Sequence, residues 1–326
     1  MKTFYWLVKR EFWEHRGGFL WAPIIVGAIF LVLNLMAVIA AEVASVNHGI
    51  RFDFGNDRNA INVMVNNLHS GQLSQVGAAL DIAMYSASGL MAVVMGFIVL
   101  FYCLGTLYDE RRDRSILFWK SLPMSDTATV LSKVIAATVL APAIVFVTGV
   151  ITGVLMLLLY AIVLSFHGVG IWQLLALGHP FQVVANLLGS IPLYLLWSLP
   201  TVGWLMLCSA WARNKPFLWA VLLPVGTGTI LSWFGLMGSI GFDSKWYWSH
   251  IFSRLLLSVF PGGWFGALID QPGAHSDPET ASTALTYLNL SNSYSVLATA
   301  NLWIGVAVGV AMIAAAIWFR RWRDDS

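Results

Sequence analysis

Charge is what this sequence has least of. Only 10% of its 326 residues are Asp, Glu, Lys or Arg, against about 25% in a soluble domain. Apolar residues make up 58%, and the mean hydropathy is +0.75. A soluble hydrophobic core is therefore not the organising feature, and the composition is that of a polytopic membrane protein. The formal net charge of +2 points to no nucleic-acid partner. Cysteine is nearly absent. Cys103 and Cys208 both fall near cytoplasmic ends of spans, where the cytosol keeps thiols reduced. Two isolated thiols also make no zinc site, and no metal is expected.

Catalytic motifs are missing too. The chain has no G-x-S-x-G and no H-E-x-x-H. No Gly-Lys dipeptide occurs, so there is no Walker A loop, and the chain itself is not expected to bind ATP. Six of the seven histidines (His48, His69, His167, His179, His250, His275) are irregularly spaced in loops assigned to the outside. A cleavable signal pattern is absent. The first apolar run begins near Phe19 and is long enough to span, so it reads as a retained helix.

What is present is a series of long apolar runs. We expect an all-α membrane protein with six transmembrane helices, at about 19–41, 82–107, 133–166, 183–211, 217–240 and 299–319. Residues 133–166 exceed the ~30 Å hydrocarbon core, so this span must tilt, project into water or bend at Pro142. Residues 1–18 mix aromatics with Lys2, Lys9, Arg10 and Arg16 and read as a helix on the cytoplasmic surface. Residues 320–326 form a cytoplasmic tail, which places both termini inside. This topology puts 14 of the 18 Lys and Arg on the cytoplasmic side, leaving Arg51, Arg58, Lys245 and Arg254 outside.

Residues 241–298 form a large outer region before the last span. Within it, Ile251 to Ile269 is mostly apolar, with Pro261-Gly262-Gly263 at its middle. If it crossed, the Arg320–Arg323 cluster would end up outside. It reads as a re-entrant hairpin, with a plain interfacial helix as the alternative. No Asp, Glu, Lys, Arg or His lies near the middle of a span. Ion-coupled carriers usually need such groups at depth, which argues for another energy source. Asn34 is the one strongly polar side chain of the first span. It either lines a path or bonds between helices.

The most charged stretch joins the second and third spans, at 108–132. Asp109, Glu110, Arg111, Arg112, Asp113, Arg114 and Lys120 fall within twelve positions. Between them lie Ile116, Leu117, Phe118 and Trp119, which is much apolar surface for a connection. Two readings stand: a positive-inside anchor with an interfacial aromatic belt, or a short helix presenting an apolar knob to a partner.

Here the sequence resembles the type-2 ABC transporter permease family, bacterial members in particular. The resemblance rests on LGTLYDERRDRSILFWKSLPMSDTATVLSK. Its core pattern, E-R-x-x-x-S-I-x-x-x-x-S-L-P, is filled by Glu110, Arg111, Ser115, Ile116, Ser121, Leu122 and Pro123. Elsewhere the likeness is one of layout. It implies a homodimer of permease chains in a bacterial inner membrane, bound to two copies of a separate ATPase subunit that holds ATP and Mg. Residues 115–122 would be the coupling helix, with Ser115, Ile116, Leu117, Phe118, Trp119 and Lys120 in it and Phe118 and Trp119 as anchors. Glu110 with Arg111 or Arg114 would brace it. Residues 3–16 would be the connecting helix. Phe260, Pro261, Gly262, Gly263 and Trp264 would form an outer gate. The implied function is ATP-driven export of a hydrophobic or amphiphilic cargo. Competing readings are a non-transporting, force-transmitting membrane partner of an ATPase, and an integral-membrane enzyme acting on lipid or peptide.

Overall fold

The computed structural model describes residues 2–47, 70–113, 124–166, 178–236, 244–269, 285 and 288–322. These residues are helical or lie in turns, with no strands among them. Six helices are long and apolar enough to cross a membrane, so the chain is a polytopic helical membrane protein. In order, the elements are α1 (Lys2–Glu14), α2 (Ala22–Asn47), α3 (Ser70–Arg112), α4 (Asp126–Ile135), α5 (Ala141–Phe166), α6 (Pro180–Gly189), α7 (Ile191–Trp211) and α8 (Pro216–Leu236). They continue with α9, a π-helical segment (Tyr247–Leu257), α10 (Trp264–Ile269), α11 (Leu290–Tyr294) and α12 (Ala300–Trp322).

Leu, Ile, Val, Ala and Met dominate the long helices on every side. A helix that is apolar all round belongs in a core or in lipid. α7 is the core member: 67% of the most apolar stretch in the α6–α7 run is buried, against 11% for the α2 stretch and 17% for α8. α7 packs on α12 and α3, α3 on α5, and α5 on α2. The outward faces carry Ile25, Ile29, Val32, Met36, Ile230 and Trp233, all exposed. Lipid tails solvate such faces at no cost.

α3 has 43 residues. At about 1.5 Å per residue that is roughly 65 Å, far more than a ~30 Å core. It therefore projects beyond the apolar layer, and one projecting end carries Tyr108 to Asp113. The α4–α5 run is also overlong, at 38 residues. Pro142 cannot donate to the carbonyl four residues back, and the chain widens into a π turn at Ala136–Leu140 just before it. A second π turn, Gly17–Trp21, joins α1 to α2.

Two glycines set the α7–α12 contact. A Cβ on Gly203 would lie 2.5 Å from the Gly309 carbonyl oxygen, and one on Gly309 would lie 2.6 Å from the Leu199 carbonyl carbon. Backbone meets backbone there, and only small residues permit it. Pro200, which lacks an N–H, sits on the α7 side of the same contact.

Gly309→Ala should therefore lower stability by about 1–3 kcal/mol, because the obstructing atoms are backbone. Gly226→Ala is the control, since a Cβ there meets nothing within 4 Å. Thermal unfolding of both variants in detergent, followed by gel filtration, checks this. Equal melting of the two would show that the contact can open without penalty.

Candidate functional site

The projecting end of α3 roots a buried ion network. Thr106 and Glu110, four positions apart, share one face of this helix near that end. Thirteen positions past Asp113, α4 starts at Asp126, where the Ser125 hydroxyl accepts from the Ala128 N–H at 3.2 Å as an N-cap. Two helical turns further along α4 comes Lys133, whose side chain is 3% exposed.

Lys133 is the hub. Its Nζ donates to Thr106 Oγ1 at 2.8 Å and lies 3.0 Å from Glu110 Oε1. It also reaches both oxygens of Glu11, at 3.1 and 3.3 Å. Glu11 is fully buried and is further held by Arg10 Nη2 at 2.7 Å and the Tyr102 hydroxyl at 2.8 Å. The other oxygen of Glu110 accepts from Arg320 Nη1 at 2.7 Å. Arg320 Nε in turn donates to Asp126 Oδ1 at 3.1 Å. Three cations (Arg10, Lys133, Arg320) thus meet three carboxylates (Glu11, Glu110, Asp126), drawn from α1, α3, α4 and α12. Charges this deeply buried persist only when paired and hydrogen-bonded.

Burial would raise the Glu11 carboxyl. Lys133, together with the Arg10 and Tyr102 hydrogen bonds, outweighs it and holds the group below the usual carboxylate range. Glu11, Glu14 and His15 also place ligand atoms within 4.8 Å of one another. Both Glu11 oxygens are already engaged by Lys133, Arg10 and Tyr102, which leaves that trio poorly suited to a cation.

Arg111 secures the same end differently. Its Nη2 donates to the carbonyls of Ser209 at 2.5 Å and Ala212 at 3.0 Å, at the end of α7. The Ser209 hydroxyl donates back to the Leu104 carbonyl at 2.7 Å. α3, the root of the charged segment, is thereby tied to the central helix as well. Arg114, Ser115, Ile116, Leu117, Phe118, Trp119 and Lys120 lie outside the described residues.

Sequence reasoning placed Glu110 and Arg111 here but missed Glu11, Tyr102, Asp126, Lys133 and Arg320 as members. In the structure the buried positions of α1 are Leu7 and Glu11, while Tyr5, Trp6 and Trp13 are exposed. A carboxylate on a buried helical stripe was the available signal.

At the opposite end, the chain turns between α9 and α10. Phe260, Pro261, Gly262, Gly263 and Trp264 make the turn, with Gly262 at φ +90°. α9 and the start of this turn are bolted to α7. The Tyr194 hydroxyl donates to the Val259 carbonyl at 2.9 Å, and Thr201 Oγ1 donates to the Arg254 carbonyl at 2.8 Å. The Arg254 guanidinium lies 3.7 Å from the centre of the Trp197 ring, a contact that gains strength when desolvated. Phe260 meets Phe97 of α3 edge-on at 5.2 Å. Asn34 accepts from the Tyr160 hydroxyl at 2.8 Å, so it bonds α2 to α5.

One further polar pair lies at that end. Asp81 accepts from the His179 N–H at 2.7 Å and faces His179 Nδ1 at 3.1 Å, beside a cavity of about 150 Å³. The carboxylate sits at the start of α6, where a negative charge suits the helix dipole. Compared with protein-family models, with curated proteins and with solved structures, the chain matches none.

Lys133→Met should be the most damaging change in the network, costing about 3–5 kcal/mol, because it removes the one cation that buried Glu11 and Glu110 share at about 3 Å and leaves Arg10 to face both. Adding Glu11→Gln to it should recover part of the loss in the same melting assay. A double variant as unstable as the sum of both singles would show that the two residues do not interact. The pH dependence follows from the depressed Glu11 pKa. Its stabilisation is complete above the ordinary value of 4.5 and is lost as pH falls through the lower folded value. Melting curves from pH 7 to 3 should therefore fall steeply only below about 4.5, and Glu11→Gln should flatten that fall.

Proposed function

We propose that this chain is the membrane-spanning permease subunit of an ATP-driven exporter, with ATP hydrolysis supplied by a separate ATPase chain. One observation carries the reading. Both roots of the charged 114–123 segment are clamped into one rigid network, Glu110 on the α3 side and Asp126 with Lys133 on the α4 side. A push on that segment is delivered to α1, α3, α4 and α12 together. Arg111 extends it to α7. A loose connection would dissipate such a push, whereas a clamped one works as a lever.

In this mechanism the network end faces the cytoplasm of a bacterial inner membrane, and two permease chains associate. Two ATPase subunits close on ATP and displace the two segments. The helices shift in turn, and a hydrophobic or amphiphilic cargo leaves past Phe260 to Trp264 at the outer side. Phe118 and Trp119 are the anchors in the ATPase cleft, and α1 touches the same subunit.

The reading is tested by pull-down of the tagged chain in mild detergent, with every co-purifying chain identified. A stoichiometric soluble ATPase is expected, and Phe118→Ala with Trp119→Ala should reduce its recovery at least about tenfold, the loss of ~1.4 kcal/mol or more. Undiminished recovery would remove the two aromatics from the interface. No ATPase in any of several detergents would favour a second reading, an integral-membrane enzyme. The Asp81–His179 pair beside a cavity is what speaks for that alternative.

A further inference from the structure

The bond between Lys133 and Glu11 fixes the rotation of α1 about its own axis. Leu7 and Glu11 face the bundle and are buried. At about 100° per residue, the positions opposite them hold Tyr5, Trp6, Lys9, Trp13 and Arg16, in a stripe roughly 100° wide. Arg16 lies just past α1 and keeps helical dihedrals. Both carboxylates of α1, Glu11 and Glu14, lie off the stripe. The outward face is therefore aromatic and cationic, with no acid in it.

The side chains on this face are accessible. Tyr5, Trp6 and Trp13 are each more than half exposed, and Arg16 is exposed as well. Lys9 Nζ stands 4.7 Å from the centre of the Trp6 ring, and the Arg16 guanidinium 5.9 Å from that of Trp13. A ring face steadies a cation but leaves most of its N–H donors free. Among the described residues neither cation has a carboxylate partner.

A second helix sets the depth of this face. Lys133 bonds Glu11 and Glu110, and Glu110 bonds Arg320, so the middle of α1 lies level with the end of α12. Trp318 and Trp322 flank Arg320 there and are 54% and 69% exposed. Tryptophan exposed at the end of a span marks the headgroup layer, where its ring and its N–H are both suited. Lys9 and Arg16 are thus presented at the level of lipid phosphates. Unpaired cations beside tryptophans at that depth complement a negatively charged leaflet.

We propose that this face of α1 binds anionic phospholipid, with phosphate oxygens accepting from Lys9 and Arg16 and the glycerol region lying against Trp6 and Trp13. Thr3 and Glu14, exposed on the next face round, remain for the ATPase contact of the permease reading. The inference goes beyond that reading. Lipid binding is measured on this chain with no ATPase present, so either idea can fail without the other.

The test titrates the purified full-length chain, in a neutral detergent, with phosphatidylglycerol or with phosphatidylcholine of the same acyl chains. Bound lipids are counted by native mass spectrometry. The first phosphatidylglycerol should bind at least about tenfold more tightly than the first phosphatidylcholine, a difference of ~1.4 kcal/mol. Lys9→Gln with Arg16→Gln should remove most of that preference and leave phosphatidylcholine binding unchanged. Lys9→Arg with Arg16→Lys should retain it, because the charges stay. Arg213→Gln with Lys215→Gln removes two exposed charges from the turn between α7 and α8 and should also retain it. Melting in phosphatidylcholine nanodiscs should be the same for all these variants, since none touches the ion network. An equal loss in the α7–α8 variant would reduce the effect to general surface charge and overturn the proposal. So would a phosphatidylglycerol preference that survives Lys9→Gln with Arg16→Gln. The absence of any preference in the unaltered chain would overturn it too, and leave the face to an acidic protein surface.

Discussion

A buried lysine between two carboxylates is the constraint from which the rest of this bundle follows. Lys133 has three protons to place and almost no access to water. Thr106, Glu11 and Glu110 take them. Glu11 brings α1, Thr106 and Glu110 bring α3, and Glu110 carries a further obligation. Glu110 must also be neutralised by Arg320, and Arg320 by Asp126. The chain of obligations closes only when α1, α3, α4 and α12 have converged. An apolar bundle in lipid has weak preferences about which helix lies beside which, because lipid tails are as apolar as leucine. A closed set of buried charges has strong ones, since any wrong pairing leaves a charge stranded. The network therefore specifies the assembly even where its net stabilisation is modest.

The other end is fixed by different means. Hydroxyl and indole groups of α7 reach the backbone and side chains of α9 and the turn that follows it. Glycines let α12 approach α7 at backbone contact. α7 thus joins two mechanically distinct ends: an ionic clamp, to which it is tied through Ser209 and Ala212, and α9 with its following turn, held by Tyr194, Trp197 and Thr201. An input at one end has a continuous helix along which to reach the other.

Part of the candidate site was legible in the sequence and part was not. Glu110 and Arg111 stood out because they belong to a dense charge run beside an aromatic cluster. Asn34 and the Pro261-Gly262-Gly263 turn stood out as local anomalies in apolar surroundings. Glu11, Lys133 and Arg320 looked ordinary, since a charge near a span end usually meets water. Nothing local marked Glu11 and Lys133 as partners 122 positions apart. Tyr102 was hidden for the opposite reason, as one aromatic among many in an apolar helix.

The sequence by itself determined that the chain is a helical membrane protein with six spans. Without water, each backbone amide must bond within its own segment, so long apolar runs have no alternative to helix. It also determined where the chain turns sharply, because glycine and proline act within a residue or two of themselves. Only the tertiary structure decided which charges are buried together, which helix is central and where polar groups are left unsatisfied. Those outcomes depend on contacts between residues far apart in the chain. Their energies arise from desolvation, and desolvation exists only once the helices have packed.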